Sequence, residues 1–144
     1  MTDEQRGFSL DPRLAADCIV LGGTGECELL LLNNRLFRPW FILVPYTQKE
    51  ELIDLEPGQM HGVMQQMAEL SRFVRREFHP DKINTATIGN VVSQLHIHII
   101  ARYHNDPCWP APVWGYADNR EAYPPAEVAA LIRTLKDNTA LLVE

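Results

Sequence analysis

Polar and apolar residues alternate through Gln94-Leu95-His96-Ile97-His98-Ile99. Gln94, His96, His98 and Arg102 fall on one parity, and Leu95, Ile97, Ile99 and Ala101 on the other. Strand side chains alternate between faces, so residues 94–103 are predicted as a strand with one apolar and one polar face. A second pattern, the apolar run Trp40-Phe41-Ile42-Leu43-Val44, lies between Pro39 and Pro45. Its length and its aromatic and β-branched content predict a buried strand rather than a helix. Helical spacing takes over at Met60, Val63, Met64, Met67, Leu70, Phe73 and Val74, with Pro57 near the start and Pro80 barring continuation past His79. The methionines of this stripe read as core filler, and His61 and His79 as solvated.

The other elements are shorter. Asp11-Pro12, a capping carboxylate followed by proline, predicts a helix over residues 12–17. Strands over residues 18–21 and 28–32 flank a turn at Gly22, Gly23 and Gly25, and Asn33-Asn34 ends the second. Neither a helix nor Lys-Ser/Thr follows these glycines, so they are not read as a phosphate loop. Residues 28–32 and 40–44 are expected to form a hairpin, and residues 50–55 a single acidic turn. A strand over residues 83–88 ends at the tight turn Gly89-Asn90 and should pair with the histidine strand. Residues 104–123 carry Pro107, Trp109, Pro110, Pro112 and Trp114. They are too rich in proline for regular structure and too aromatic for a free linker, so they should pack on the body as an ordered loop. Pro124-Pro125 opens a last helix with Val128, Ala129, Leu131, Ile132 and Leu135 apolar. Strands, helix, strands, helix with no βαβ alternation is an α+β pattern, an antiparallel sheet with one face on helices. The apolar parity of the histidine strand then faces the helices, and the histidine parity faces outward, into a cleft or a partner.

Composition narrows the function classes. A chain of 144 residues fits one domain, residues 1–144, and 46% hydrophobic with 22% charged residues is ordinary for a globular protein. A net charge of -6 without a basic block argues against coating nucleic acid, yet leaves room for a small anionic ligand at a locally suited site. Cys18, Cys27 and Cys108 are widely spaced and form no CxxC pair, so no structural zinc site is expected. Residues 1–7 lack an apolar leader, and no stretch approaches the roughly 18 apolar residues of a membrane span. A cytosolic protein with free thiols, attached to no membrane, is the expectation.

On one strand face His96 and His98 lie roughly 6–7 Å apart and can touch successive groups of one substrate. Incidental histidines on a half-buried strand and a metal site are the alternatives. A strand pair of this kind does bind metal in cupin barrels, usually with a glutamate close behind; here Ile99, Ile100, Ala101 and Arg102 follow, and an arginine favours an anion. A neutral imidazole can take up a phosphoryl or nucleotidyl group and pass it to water. It must stay bare on the attacking nitrogen, which a hydrogen bond from the other nitrogen to a fixed acceptor secures. The second histidine can donate to a phosphate oxygen or leaving group. The Gln94 amide can donate to the same oxygens, and Gly89-Asn90 can add donors aimed at developing negative charge. Arg102, roughly 20 Å from His96 along the strand, is too far for the same phosphate.

Gln94-Leu-His96-Ile-His98-Ile-Ile100 resembles the histidine triad (HIT) signature, His-φ-His-φ-His-φ-φ, with glutamine for the first histidine. Asn33, Pro39, Ile42-Leu43-Val44, Asn84, Gly89 and Asn90 follow the order and approximate spacing of HIT domains. Lys82-Ile-Asn84, Gly89-Asn90-Val-Val, Ala101-Arg102-Tyr103, Asp106-Pro-Cys-Trp-Pro110 and Pro112-Val-Trp-Gly115 look like a bacterial HIT-like branch. The likeness runs from about Leu10 to Gly115. It implies a HIT-like antiparallel sheet with a long helix and a C-terminal helix, a homodimer with a sheet continued across subunits, and no metal or other cofactor. It implies a nucleotide hydrolase or nucleotidyl transferase acting on dinucleoside polyphosphates, nucleoside phosphoramidates or similar purine nucleotide substrates, or else a nucleotide-binding or protein-interaction module with little turnover. His96 matches the nucleophile that attacks the α-phosphate, and His98 the residue that contacts phosphate and leaving group. Asn33 matches a ribose-binding position, and Asn84 and Asn90 polar positions near the phosphates. Gln94 keeps the backbone carbonyl through which the first histidine supports the nucleophile. Gln94→His, which restores the usual motif, is expected to be tolerated. Phe41 stands where many members have a further histidine, and Asn90 and Val91 replace a usual Gln and Ser/Thr.

Overall fold

A computed structural model describes residues 7–116 and 119–143 of the chain. The residues 1–6 on which the lack of a leader is read, together with residues 117, 118 and 144, lie outside the described residues. Along the chain run α1 (Pro12–Asp17), β1 (Cys18–Gly23), β2 (Cys27–Leu32), β3 (Trp40–Pro45), a single tight turn (Leu52–Asp54), α2 (Pro57–Phe78), β4 (Lys82–Ala86), β5 (Ile97–Arg102) and α3 (Pro125–Asn138). The five strands form one antiparallel sheet in the order β1-β2-β3-β5-β4. This is the α+β architecture the pattern predicts, and β4 and β5 pair as expected.

Local chemistry accounts for the boundaries. The Asp11 carboxylate accepts from the Arg13 N–H at 2.8 Å and caps α1, with Pro12 in the first turn where its missing N–H costs nothing. α2 ends where His79 adopts φ +50°, ψ +51° and Pro80 forbids a further turn; the His79 N–H bonds the Arg75 carbonyl. Gly22 and Gly23 belong to β1 rather than to the turn, and the β1–β2 register shifts between Val20 and Gly22, a bulge that glycine accommodates.

The apolar parity packs as the alternation predicts. Leu29 and Leu31 of β2, Phe41 and Leu43 of β3, and Ile97, Ile99 and Ala101 of β5 meet Val63, Leu70, Phe73 and Val74 of α2 and Leu135 of α3 in one buried cluster. The opposite face departs from expectation. It is not an open cleft: Leu30, Leu32, Trp40, Ile42, Val44 and Ile100 are covered by Phe8, Leu14, Phe37 and Val113 in a second buried cluster. The N-terminal segment, the β2–β3 connection with Phe37, and the proline- and tryptophan-rich loop supply that cover. All six residues of β3 are consequently buried, which is why its sequence does not alternate.

β5 begins at Ile97, three residues later than residue 94. The last rungs of its neighbours are Leu43↔Ile97 on β3 and Ala86↔His98 on β4, after which Pro45 and the Gly89 turn carry both partners away. Gln94, Leu95 and His96 therefore form an irregular lead-in to the strand. Among the described residues no helix is long and apolar enough to cross a membrane.

Candidate active site

The lead-in places His96 and the strand places His98, and the alternation carries both to the same side. Their rings lie 5.0 Å apart, centre to centre, and both side chains are buried, at 7% and 6% exposure. The His96 Nδ1 lies 2.6 Å from the backbone carbonyl of Gln94. A carbonyl only accepts, so Nδ1 carries a proton, and in the neutral ring the lone pair is on Nε2. This is the tautomer a nucleophilic imidazole requires.

His98 is held in the complementary form. The Trp40 indole Nε1–H donates to its Nδ1 at 2.9 Å, and an indole N–H can only donate. The His98 Nδ1 is therefore bare, and Nε2 bears the hydrogen. Burial, with His96 beside it, pushes its pKa down to about 4, so the ring is a neutral donor at neutral pH. Trp114 packs edge-on at 5.2 Å from the His98 ring and 6.1 Å from Trp40, and is itself 38% exposed.

The remaining sequence candidates divide. Gly89 lines a small hollow with His96, Thr87, Ser93 and Gln94, and two carboxylates, Glu50 and Glu51, share that hollow. Gly89 sits at φ +73°, a conformation that a side chain would strain. Asn90 is exposed on the same turn. The Gln94 side chain does not face the histidines as a donor: its Oε1 accepts from the Asp11 N–H at 2.8 Å and its Nε2 donates to the Ser9 carbonyl at 2.9 Å. Only its backbone carbonyl serves His96 directly. Asn84 pairs with Ile100 in the sheet, and its Oδ1 accepts from Arg102 at 2.9 Å. Asn33 follows Leu31 by two residues; since Leu31 faces Phe41 and Phe41 faces Ile99, it lies level with the far end of β5. Its Oδ1 accepts from the Tyr123 N–H at 2.9 Å. Asn33 and His96 are thus not brought together within one monomer.

Two further residues change meaning. Arg102 is 1% exposed and is not an anion receptor; its guanidinium bonds both Asp106 carboxylate oxygens at 2.7 and 3.1 Å and the Ala111 carbonyl at 2.8 Å. Phe41 faces the helices, 6.4 Å from Phe73, on the side of the sheet away from the histidines. Trp40 and Trp114 are the site residues that sequence reasoning missed. The β3 run marks Trp40 only as buried, and its partner becomes visible once Ile42 is paired with His98 and the same-face neighbour two residues away is considered.

One arginine is held beside the Gly89-Asn90 turn. Arg13 donates to the Val91 carbonyl at 2.9 Å and pairs with Asp11 at 3.2 Å while remaining exposed. Hydrogen bonds with Arg13 hold the Asp11 carboxyl below its usual range, with a smaller contribution from His96. Among the described residues no three His, Cys, Asp or Glu side chains gather as a metal site.

The family model described as the HIT domain matches residues 14–105. A histidine triad protein from Marinobacter aquaeolei superposes with a TM-score of 0.85 at 38% identity, covering 93% of this chain and 96% of that one. A histidine triad protein from Sinorhizobium meliloti gives 0.85 at 36% identity, covering 91% and 96%. Diadenosine triphosphate hydrolase from Plasmodium falciparum shares the fold alone, with a TM-score of 0.61 at 17% identity over 91% of this chain and 82% of that one. No curated protein matches the chain.

Proposed function

This chain belongs to the histidine triad family, and on that premise we propose that it is a nucleotide hydrolase or nucleotidyl transferase. Its substrate is of the dinucleoside polyphosphate or nucleoside phosphoramidate class with a purine base. The observation that carries the reading is the 2.6 Å contact between His96 Nδ1 and the Gln94 carbonyl, which leaves Nε2 free to attack. In the first step the Nε2 lone pair forms a bond to the α-phosphorus and the bond to the leaving group breaks, with the departing group taking its electron pair and a proton from solvent. In the second step water attacks the nucleotidyl-His96 phosphorus and loses a proton to solvent, and the P–Nε2 bond breaks with its electron pair returning to Nε2. His98 steadies phosphate or leaving-group oxygens through its Nε2–H, while the Gly89-Asn90 turn at the hollow offers donors. Asn33 and Asn84 enter this reading only as members of the family pattern, since each has its carbonyl oxygen engaged within the fold.

A homodimer is part of the proposal. β4 is an edge strand of the sheet among the described residues, so a second copy can extend the sheet there. The proposed compartment is the cytoplasm, consistent with three free cysteines. A second reading, a nucleotide-binding or interaction module with little turnover, is favoured by one observation: both histidines are buried, with His98 beneath Trp114.

The test is intact-protein mass spectrometry after brief incubation with adenylated and guanylated substrates, together with released AMP or GMP. The proposal expects a mass increase of one nucleotidyl group that disappears in His96→Ala. Bound nucleotide with neither adduct nor release would establish the second reading instead.

A further inference from the structure

We propose that Trp40 is a positioning residue that locks His98 as a neutral donor through Nε2–H. The sheet register brings the two together: Ile42 faces His98 across the β3–β5 pair, and Trp40 is its same-face neighbour two residues on. The diagonal distance suits an indole. The bond is 2.9 Å long and both side chains are buried, at 8% and 6% exposure, so water does not compete for either atom. The ring planes meet at 64°, which lets the indole edge, where its N–H lies, address the imidazole nitrogen.

The lock has two effects. It selects the tautomer, because the indole hydrogen occupies the position a hydrogen on Nδ1 would need. It also resists protonation, because an imidazolium would leave the buried indole N–H without an acceptor. Of the groups around the ring, His96 adds to that resistance and the others carry no charge. Trp114 comes from the loop, Ala86 stands opposite on β4, and His96 is the titratable neighbour on its own segment. Burial acts in the same direction as the indole. His98 then presents an N–H beside the ring of His96, 5.0 Å away.

The catalytic use of this arrangement rests on the nucleotidyl-transfer reading; the lock itself does not. Long-range proton–nitrogen correlation spectra of uniformly labelled protein report imidazole tautomers directly. In the wild type, the His98 Nδ1 is expected to resonate as a bare nitrogen and Nε2 as a protonated one. Trp40→Phe keeps an aromatic ring and removes the N–H. It should mix the tautomers and raise the proton affinity of His98 roughly fivefold, the worth of one net neutral hydrogen bond. A wild-type His98 protonated on Nδ1 would overturn the inference. So would a Trp40→Phe variant with unchanged tautomer and titration. If that variant fails to fold, the wild type decides alone: a bonded Trp40 indole resonance moves as His98 titrates, and an unbonded one stays still. No substrate is needed for these readings. A locked tautomer in a protein without turnover sinks the nucleotidyl-transfer reading and leaves the lock standing; turnover with mixed tautomers does the reverse.

Discussion

The side chain of Gln94 is bonded to the backbone of Asp11, 83 residues earlier in the chain, at 2.8 Å, and its second amide atom completes the clamp on Ser9. The residue in place of the family's first histidine thus ties the N-terminal segment to the very residue whose carbonyl holds His96. A neutral imidazole also carries one donor and one acceptor, but its nitrogens diverge on a rigid ring with a shorter reach than the Gln94 amide, which bonds Asp11 and Ser9 together. Gln94→His should lower stability by about 1–3 kcal/mol through the abandoned backbone groups, against the sequence-based expectation of tolerance. Urea unfolding measures this; a variant as stable as the wild type and more active would show the clamp to be dispensable.

His96→Ala should abolish turnover and adduct formation, because no neighbour presents a bare nitrogen at the same place. His98→Ala should still form the adduct from substrates with good leaving groups and should slow its formation from poor ones by about 10²–10³-fold, the worth of one oriented hydrogen-bond donor. Single-turnover kinetics with good and poor leaving groups separates the roles. An adduct surviving in His96→Ala and lost in His98→Ala would mean the two are reversed.

Stability should depend on pH through His98. Its folded pKa is depressed from 6.5 to about 4, so between those values the unfolded chain binds more protons than the native one. The stabilisation is fully present above the unfolded value and is lost as pH falls towards the folded one, a change on the order of 3 kcal/mol. Denaturant titrations of wild type and His98→Asn across that window should show a slope in the first and a shallower slope in the second. Equal slopes would locate the dependence elsewhere.

Arg102→Met should cost about 3–5 kcal/mol, because the Asp106 carboxylate, 4% exposed, would be left buried without its cation. Desolvation opposes ionisation of Asp106, and its hydrogen bonds with Arg102 and nearby backbone N–H groups override it to hold the carboxyl low. The loop should loosen and carry Trp114 from His98, visible as a change in tryptophan fluorescence at unchanged helix content. An intact loop signal would disprove the coupling.

The fold was legible because its strongest elements obey simple periods. The stripe from Met60 to Val74, the Asp11-Pro12 start and the parity of Leu95, Ile97, Ile99 and Ala101 each have one packing solution. The carbonyl support of His96 was legible only through the likeness to the HIT signature, which puts that carbonyl two residues before it, and the 2.6 Å contact with Gln94 agrees. What alternation could not tell was that the polar parity lies under a second layer. That layer comes from Phe8 and Val113, whose contacts with the sheet are fixed by tertiary closure and leave no local period. The same reason hid Trp40, whose apolar role and indole N–H share one letter of sequence. Arg102 on the histidine parity suggested an anion, whereas Asp106 four residues on, part of a loop with no regular pattern, was its partner.

The Arg102–Asp106 pair is sealed from solvent, at 1% and 4% exposure, whereas Arg120–Asp17 stands half in water at 50% and 53%. Mobile ions screen the second and scarcely reach the first. Raising ionic strength therefore screens the charge interaction between this protein and a charged ligand without releasing the loop that bears Trp114. A salt titration of binding then counts the charges of whatever enters the site, uncontaminated by any loosening of its walls.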